Sequence, residues 1–387
     1  MYKNRKILFF CTVTSLFWFS LYAYVPILSP YAESLGASYK LIGLIVGSYG
    51  LVQMLLRIPL GILSDSLNKR KLFIIIGIGI SLLSSLGLWY SKNASMLLVF
   101  RGLSGAAAAS WVIFTVLFSS YFDGDEATKA IGIINAFNSL GQMVAMMLSG
   151  IVSQSINMRA SFILAAAGGL AAFILSFGIE EKKEQQPKKL TAKDYLEVMK
   201  DKTLIFVSVL AILAQLTTFS TVYGFTPVAA QKIGATNFEL GVLSTLSIIP
   251  GIFASALSGT FFTKRYGETK TVFWGFIVSA LSCLVIPYTK SVYMLYISQF
   301  IGGFGRGVVF PILMGLSIKN VSADRRATAM GFFQAVYGIG MFLGPVIVGA
   351  LSDAVGLTYG FWVSGLISLL AAVLIFFKPK KAYNSSN

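Results

Sequence analysis

Long apolar stretches follow one another along this chain with only short polar breaks between them. Twelve can be marked, at 7–29, 41–63, 71–90, 95–120, 127–153, 160–179, 204–230, 239–262, 269–288, 292–318, 327–350 and 357–377. A helix needs about 20 apolar residues to cross the hydrocarbon core of a bilayer, and most of these runs reach that length. Inside lipid every backbone polar group must be satisfied by the protein itself, which turns such runs into helices. The expected fold class is an all-α membrane protein of twelve transmembrane helices. Composition agrees: 12% of the 387 residues are charged, about half the share usual in a soluble domain. The first run, Ile7 to Leu28 behind a basic start, is too long for a secretory leader and has no small-residue cleavage site. It reads as a retained first helix.

The formal charge of +16 invites a nucleic-acid reading, but its placement answers otherwise. If the N-terminus is inside, 23 Lys and Arg fall on inner segments, 5 on outer loops and three within spans. That asymmetry is the positive-inside bias, and it puts both termini in the cytoplasm of a multi-pass protein of the cell membrane. The bilayer is then the chief partner, with no nucleic acid.

The chain has no histidine, and Cys11 and Cys283 both lie in apolar runs. Glu33, Glu239 and Asp353 sit at outer span ends, and no span carries an acid in its interior. A membrane enzyme would need a nucleophile with a base, or a metal cluster, inside the spans. Neither is present, so no catalytic residue, metal or cofactor is expected.

The two halves repeat one another. Leu35-Gly36-Ala37-Ser38 returns 198 residues later as Ile233-Gly234-Ala235-Thr236, and Gly43, Gly61 and Gly105 return as Gly241, Gly259 and Gly303. In the fifth and eleventh spans the shift is 199, carrying Gly132, Gly141 and Gly150 onto Gly331, Gly340 and Gly349. Six spans per repeat preserve orientation, so the expected form is two pseudo-symmetric six-helix bundles related about the membrane normal. The polar stretch between them sets the domains: 1–180, a cytoplasmic linker at 181–203, and 204–387 with a short tail.

The loop after the second span reads Gly61-Ile-Leu-Ser-Asp65-Ser-Leu-Asn68-Lys-Arg70-Lys71. A glycine, an aspartate four later, a turn residue and then cations resemble the signature loop of the major facilitator superfamily. Asn68 stands where glycine is usual, and asparagine also tolerates left-handed geometry. The resemblance implies that Asp65 meets the start of the eleventh helix and that Arg70 lies near Asp123, as a gate latch. The second copy, Gly259 to Lys270, has Thr263 in place of the aspartate.

Further motifs fit the same family. Arg101-Gly102-Leu103-Ser104-Gly105 in the fourth span is similar to a fourth-helix pattern associated with proton coupling, with Ser104 in place of glutamine. Arg101 could equally snorkel toward the outer surface. The eleventh span, Gly331-x8-Gly340-x3-Gly344-Pro345-x3-Gly349, resembles the antiporter motif found in the fifth helix of drug/proton exporters. The intact copy lies in the other half, where close helix packing also explains it. Arg57-x-Pro59-x-Gly61 adds to the likeness with that branch, although Arg57 by itself reads as an inner-end structural residue.

The implied fold is the major facilitator fold, and the implied activity is movement of a small-molecule substrate by alternating access. Efflux of an amphipathic compound in exchange for protons is the leading expectation, with a monomer as the working unit. An importer or exchanger of an organic anion, or a lipid flippase or sensor on the same fold, is the alternative. Arg306 motivates the anion reading, because a charge in mid-span costs about 2.5 kcal/mol or more unless something compensates it. Backbone carbonyls and Gln299 are the competing partners. Trp18, Tyr22, Gln215, Thr218 and Phe225 complete the candidate substrate-binding set, aromatic and sparsely polar as an amphipathic ligand requires. Tyr22-x-Tyr24-x-Pro26 and Tyr223-x-Phe225-x-Pro227 read as matching kinks at the outer gate.

Overall fold

A computed structural model describes residues 2–122, 126–181, 198–322 and 325–379. Among the described residues, eleven helices are long and apolar enough to cross a membrane. They are α1 (Asn4–Ser34), α2 (Tyr39–Leu67), α3 (Arg70–Tyr90), α4 (Ala94–Ser119), α5 (Lys129–Ser155), α7 (Lys202–Lys232), α8 (Asn237–Tyr266), α9 (Glu268–Tyr288), α10 (Val292–Lys319), α11 (Thr328–Val355) and α12 (Leu357–Phe377). The sixth apolar run forms α6 (Ala160–Ser176), whose 17 residues reach about 26 Å at 1.5 Å per residue. Many large apolar side chains point out of the bundle, Trp274, Phe253, Leu83 and Ile174 among them. A soluble surface rarely tolerates so much exposed apolar area, whereas lipid is its natural solvent.

Local chemistry explains where the helices stop. Gly36 and Gly234 take φ of +81° and +91°, and Ser38 and Thr236, two residues on, cap α2 and α8 with their side chains. The repeated Leu/Ile-Gly-Ala-Ser/Thr sequence is thus one turn used twice: glycine reverses the chain without a Cβ penalty, and the hydroxyl satisfies an orphan N–H of the next helix. Asn68 closes α2 at φ 51°, ψ 40°, the left-handed geometry its residue type allows. Within spans, two of the breaks fall at a proline or a π-turn. In α1 the helix restarts at Val25 with Pro26 in its first turn. In α7 a π-turn covers Thr221–Phe225 just before Pro227.

Glycines set the helix packing, and they do so twice. A Cβ on Gly141 would fall 2.3 Å from the Ser15 carbonyl oxygen, joining α5 to α1, and one on Gly340 2.1 Å from that of Ile212, joining α11 to α7. Gly105 seats α4 on Tyr49 of α2, and Gly303 seats α10 on Ser247 of α8. Between the halves, Gly43 of α2 meets Pro345 of α11, while Gly241 of α8 meets Met146 and Gly150 of α5. These pairs map onto one another at the shift of 197 to 199 residues. The glycines of the eleventh-span motif therefore seat helices: Gly340 and Gly344 on α7, Gly349 on Tyr39 of α2. Gly331 has nothing within 4 Å. The expected linker at 181–203 lies mostly outside the described residues, apart from 181 and 198–203.

Candidate functional site: a cavity between the halves

The seams α2–α11 and α5–α8 close one side of the molecule, the side away from the chain termini. There Asp353 at the end of α11 accepts from the backbone N–H of Tyr39 (2.8 Å) and Lys40 (2.9 Å) at the start of α2. In the other seam Gln154 accepts from the N–H of Asn237 (3.1 Å), whose side chain donates to the Ser153 carbonyl (3.1 Å). Lys232 donates to the Tyr39 hydroxyl, and the Tyr39 and Phe225 rings meet edge-on beneath it at 6.1 Å.

Toward the termini the halves part. Among the described residues, a Cβ on Gly132, Gly259 or Gly331 would touch nothing within 4 Å, and Gly61 would meet only Val112 of its own half. Asp65 is half-exposed and its one ion pair among the described residues is with Arg70, 3.2 Å away on its own hairpin. The resemblance placed Asp65 at the start of α11; in this conformation the termini-side gate is open and the carboxylate stays with its neighbour. Arg70 also gives its backbone N–H to Glu181 (2.5 Å). Its expected companion Asp123 lies outside the described residues.

Between closed and open sides lies a cavity of about 770 Å³, walled by both halves. Aromatic rings form its closed end. Tyr22 and Tyr223 meet edge-on at 5.8 Å, Trp18 and Trp111 at 5.1 Å, and Tyr49 stacks on Phe219 at 6.1 Å. Amides and hydroxyls interrupt them: Gln53, Asn135, Asn138, Gln142, Gln215, Thr218 and Gln334. Two cations, Arg57 and Arg306, line the wall, and no Asp, Glu or Lys does among the described residues. No group of three or more His, Cys, Asp or Glu that could hold a metal occurs among the described residues either.

The three intramembrane arginines solve their burial differently. Arg101, 2% exposed, lies inside the first half and not at a lipid surface. It donates to the Tyr24 hydroxyl (3.0 Å) and to Ser104 (3.4 Å), with its guanidinium 4.3 Å from the Tyr49 ring centre. Cation–π attraction of this kind gains strength away from water. Arg57, also 2% exposed, crosses between halves. It donates to the Gln334 carbonyl (3.3 Å) and the Tyr337 hydroxyl (3.0 Å) of α11. Arg306 makes no hydrogen bond to any described residue, and its Nη2 is buried.

Of the residues proposed from sequence, Arg306, Trp18, Tyr22, Gln215 and Thr218 line the cavity together. Gln299 and Phe225 do not: both are buried, Phe225 in the closed seam and Gln299 within α10 with its Oε1 unpartnered. Sequence reasoning missed Arg57, Gln53, Asn135, Asn138, Gln142, Gln334 and Trp111. Most left a legible trace. Gln53 and Arg57 stand four apart in an apolar helix, Asn135, Asn138 and Gln142 three and four apart, and Gln334 and Tyr337 three apart. Such spacing puts polar groups on one helix face, and in a membrane that face turns away from lipid.

Comparison with known proteins gives a consistent result. The sequence model of the Major Facilitator Superfamily matches residues 10–229 and 207–387. An uncharacterized MFS-type transporter of Methanocaldococcus jannaschii is 24% identical over 98% of this chain and 99% of its own. The quinolone resistance protein NorA of Staphylococcus aureus strain N315 is 25% identical over 85% of each. Among solved structures, the nucleoside transporter NupG (D323A mutant) aligns with a TM-score of 0.81 at 15% identity, covering 96% of this chain and 99% of that one. A bacterial homolog of the human lysosomal transporter Spinster, inward-facing and occupied, aligns at 0.80 and 17% identity, covering 97% of both.

Proposed function

The chain belongs to the Major Facilitator Superfamily, and from that premise we propose that it exports an amphipathic organic compound in exchange for protons, as a monomer in the cell membrane. The observation that carries the reading is the cavity itself. It lies between two duplicated bundles, sealed on one side by α2–α11 and α5–α8 and open on the other. The positive-inside bias assigns the open side to the cytoplasm, which makes this the state that loads a compound for export. Rocking the halves would separate the two glycine seams and bring Asp65 toward α11. Rings of Trp18, Trp111, Tyr22 and Tyr223 supply flat apolar surface, and a few amides supply orientation. The relative named for quinolone resistance supports the outward direction. With no carboxylate in the described cavity wall, we place the proton's point of action at the gates.

Proteoliposomes test the proposal. Inside-out vesicles with an acidic lumen, offered a panel of aromatic amphiphiles, are expected to accumulate at least one above protein-free controls. Collapse of the pH gradient is expected to remove that accumulation. Accumulation that survives the collapse would end the proton-coupled reading, and none at all across the panel would end the amphiphile reading.

A further inference from the structure

We propose that the cavity recognises an anionic group on its substrate, and that Arg306 is the residue that binds it. The inference rests on the transport reading above and narrows its substrate to amphipathic organic anions, such as aromatic carboxylates or sulfonates.

Three arginines of this one molecule differ in what surrounds them. Arg101 shows how this chain can surround a buried arginine, with hydroxyl acceptors and an aromatic face packed against it, although its Nε has no hydrogen-bond partner among the described residues. Arg57 places one nitrogen, Nη1, on a carbonyl and a hydroxyl across the seam, while its Nε has no hydrogen-bond partner among the described residues. Arg306 receives none of this, although it too sits within a span and faces the cavity. None of the three has a carboxylate within ion-pair distance among the described residues. A guanidinium left so is costly in a low-dielectric setting, and a ligand anion removes that cost with two parallel charge-assisted hydrogen bonds.

The surroundings make room for such a ligand. Arg306 folds back along α10 over Gly302, where a Cβ would lie 2.9 Å from Nη1. One turn on, Phe310 of the cavity wall meets Tyr337 at 5.4 Å, and Tyr337 holds Arg57. Arg57 thus adds a second fixed positive charge to the same wall. Gln215, in the same cavity lining, has an amide that can donate hydrogen bonds to an anion. A cationic drug would meet two like charges and no counter-charge among the described residues of the wall.

The test uses matched naphthyl probes on purified wild-type protein in nonionic detergent: naphthalene-2-sulfonate, its neutral sulfonamide, and 2-naphthyltrimethylammonium. Dissociation constants come from melting-temperature titrations. The sulfonate is expected to bind about tenfold or more tightly than either of the others, the scale of one charge-assisted hydrogen bond. Arg306→Gln is expected to abolish that preference and Arg306→Lys to retain its sign. The proposal falls if the ammonium compound binds as tightly as the sulfonate, or if Arg306→Gln keeps the preference. Should proteoliposomes move the neutral or cationic probe but not the sulfonate, the anion inference alone is lost. If no probe binds or moves, the amphiphile reading is lost with it.

Discussion

The α2–α11 and α5–α8 seams descend from the same contact in the internal repeat, yet they are unequal. Both rest on glycines that bring helix backbones together, Gly43 against Pro345 in one and Gly241 against Met146 and Gly150 in the other. Among the described residues, only the first has a charged side chain bonded across it. There Asp353 caps the start of α2 and Arg57 bridges to α11, whereas the second has the neutral Gln154 and, at the shifted position of Arg57, Ser255. Shape was kept in both copies because backbone contact at this distance admits only glycine. Polarity was free to diverge, and α2–α11 became the seam whose strength electrostatics can tune.

Overfilling a seam is the severest way to break this comparison. Gly43→Ala places a Cβ 2.1 Å from the Pro345 oxygen, a backbone clash that should cost the closed seam about 1–3 kcal/mol. Spin-label distances across the outer ends of α2 and α11 should lengthen, and transport should fall about tenfold or more. Unchanged distances would show that the seam yields. Gly241→Ala is the paired control and should act on α5–α8 in the same direction.

Removing Arg57 comes next. Arg57→Gln loses charge-assisted bonds to α11, each worth about 1.5–3 kcal/mol. It should shift the population toward the outward-open form, read as greater labelling of a cysteine placed in the cavity wall by an impermeant reagent added outside. Ser255→Ala, its counterpart, should leave labelling unchanged. Equal effects from the two would erase the inequality between seams.

Asp353→Asn removes a carboxylate from a helix N-terminus, worth about 0.3–1 kcal/mol at an exposed position. A several-fold shift in the same labelling assay is expected, and Gln154→Ala should give less. Smallest of all is Asp65→Asn. Among the described residues its carboxylate pairs with Arg70 alone in this state, so ligand-induced melting shifts should be those of the wild type. Transport should slow two- to threefold as termini-side closure weakens, and wild-type rates would remove Asp65 from the gate.

Much of the architecture could be read before any coordinates. Span ends agree with the helices to within a few residues; the run at 160–179, for instance, became Ala160–Ser176. The recurring Gly-Ala-Ser/Thr turn was legible because glycine and a capping hydroxyl act within a few residues of chain. The cavity was less legible. Trp18, Tyr22, Gln215, Thr218 and Arg306 came from assigning helices to a central pore. Arg57, Asn138 and Gln334 were missed because a span is apolar on average, and one polar face disappears in that average.

Local rules thus determined the number of membrane helices, their turns and their duplication, since hydrocarbon leaves backbone groups no partner but their own helix. Only the tertiary structure decided which side of the molecule is closed. That depends on contacts between residues some 300 positions apart, such as Tyr39 with Asp353. It also decided which of three similar arginines finds no hydrogen-bond partner among the described residues. Charge in a sequence has no address until packing surrounds it, and the surroundings of Arg101, Arg57 and Arg306 are three different ones.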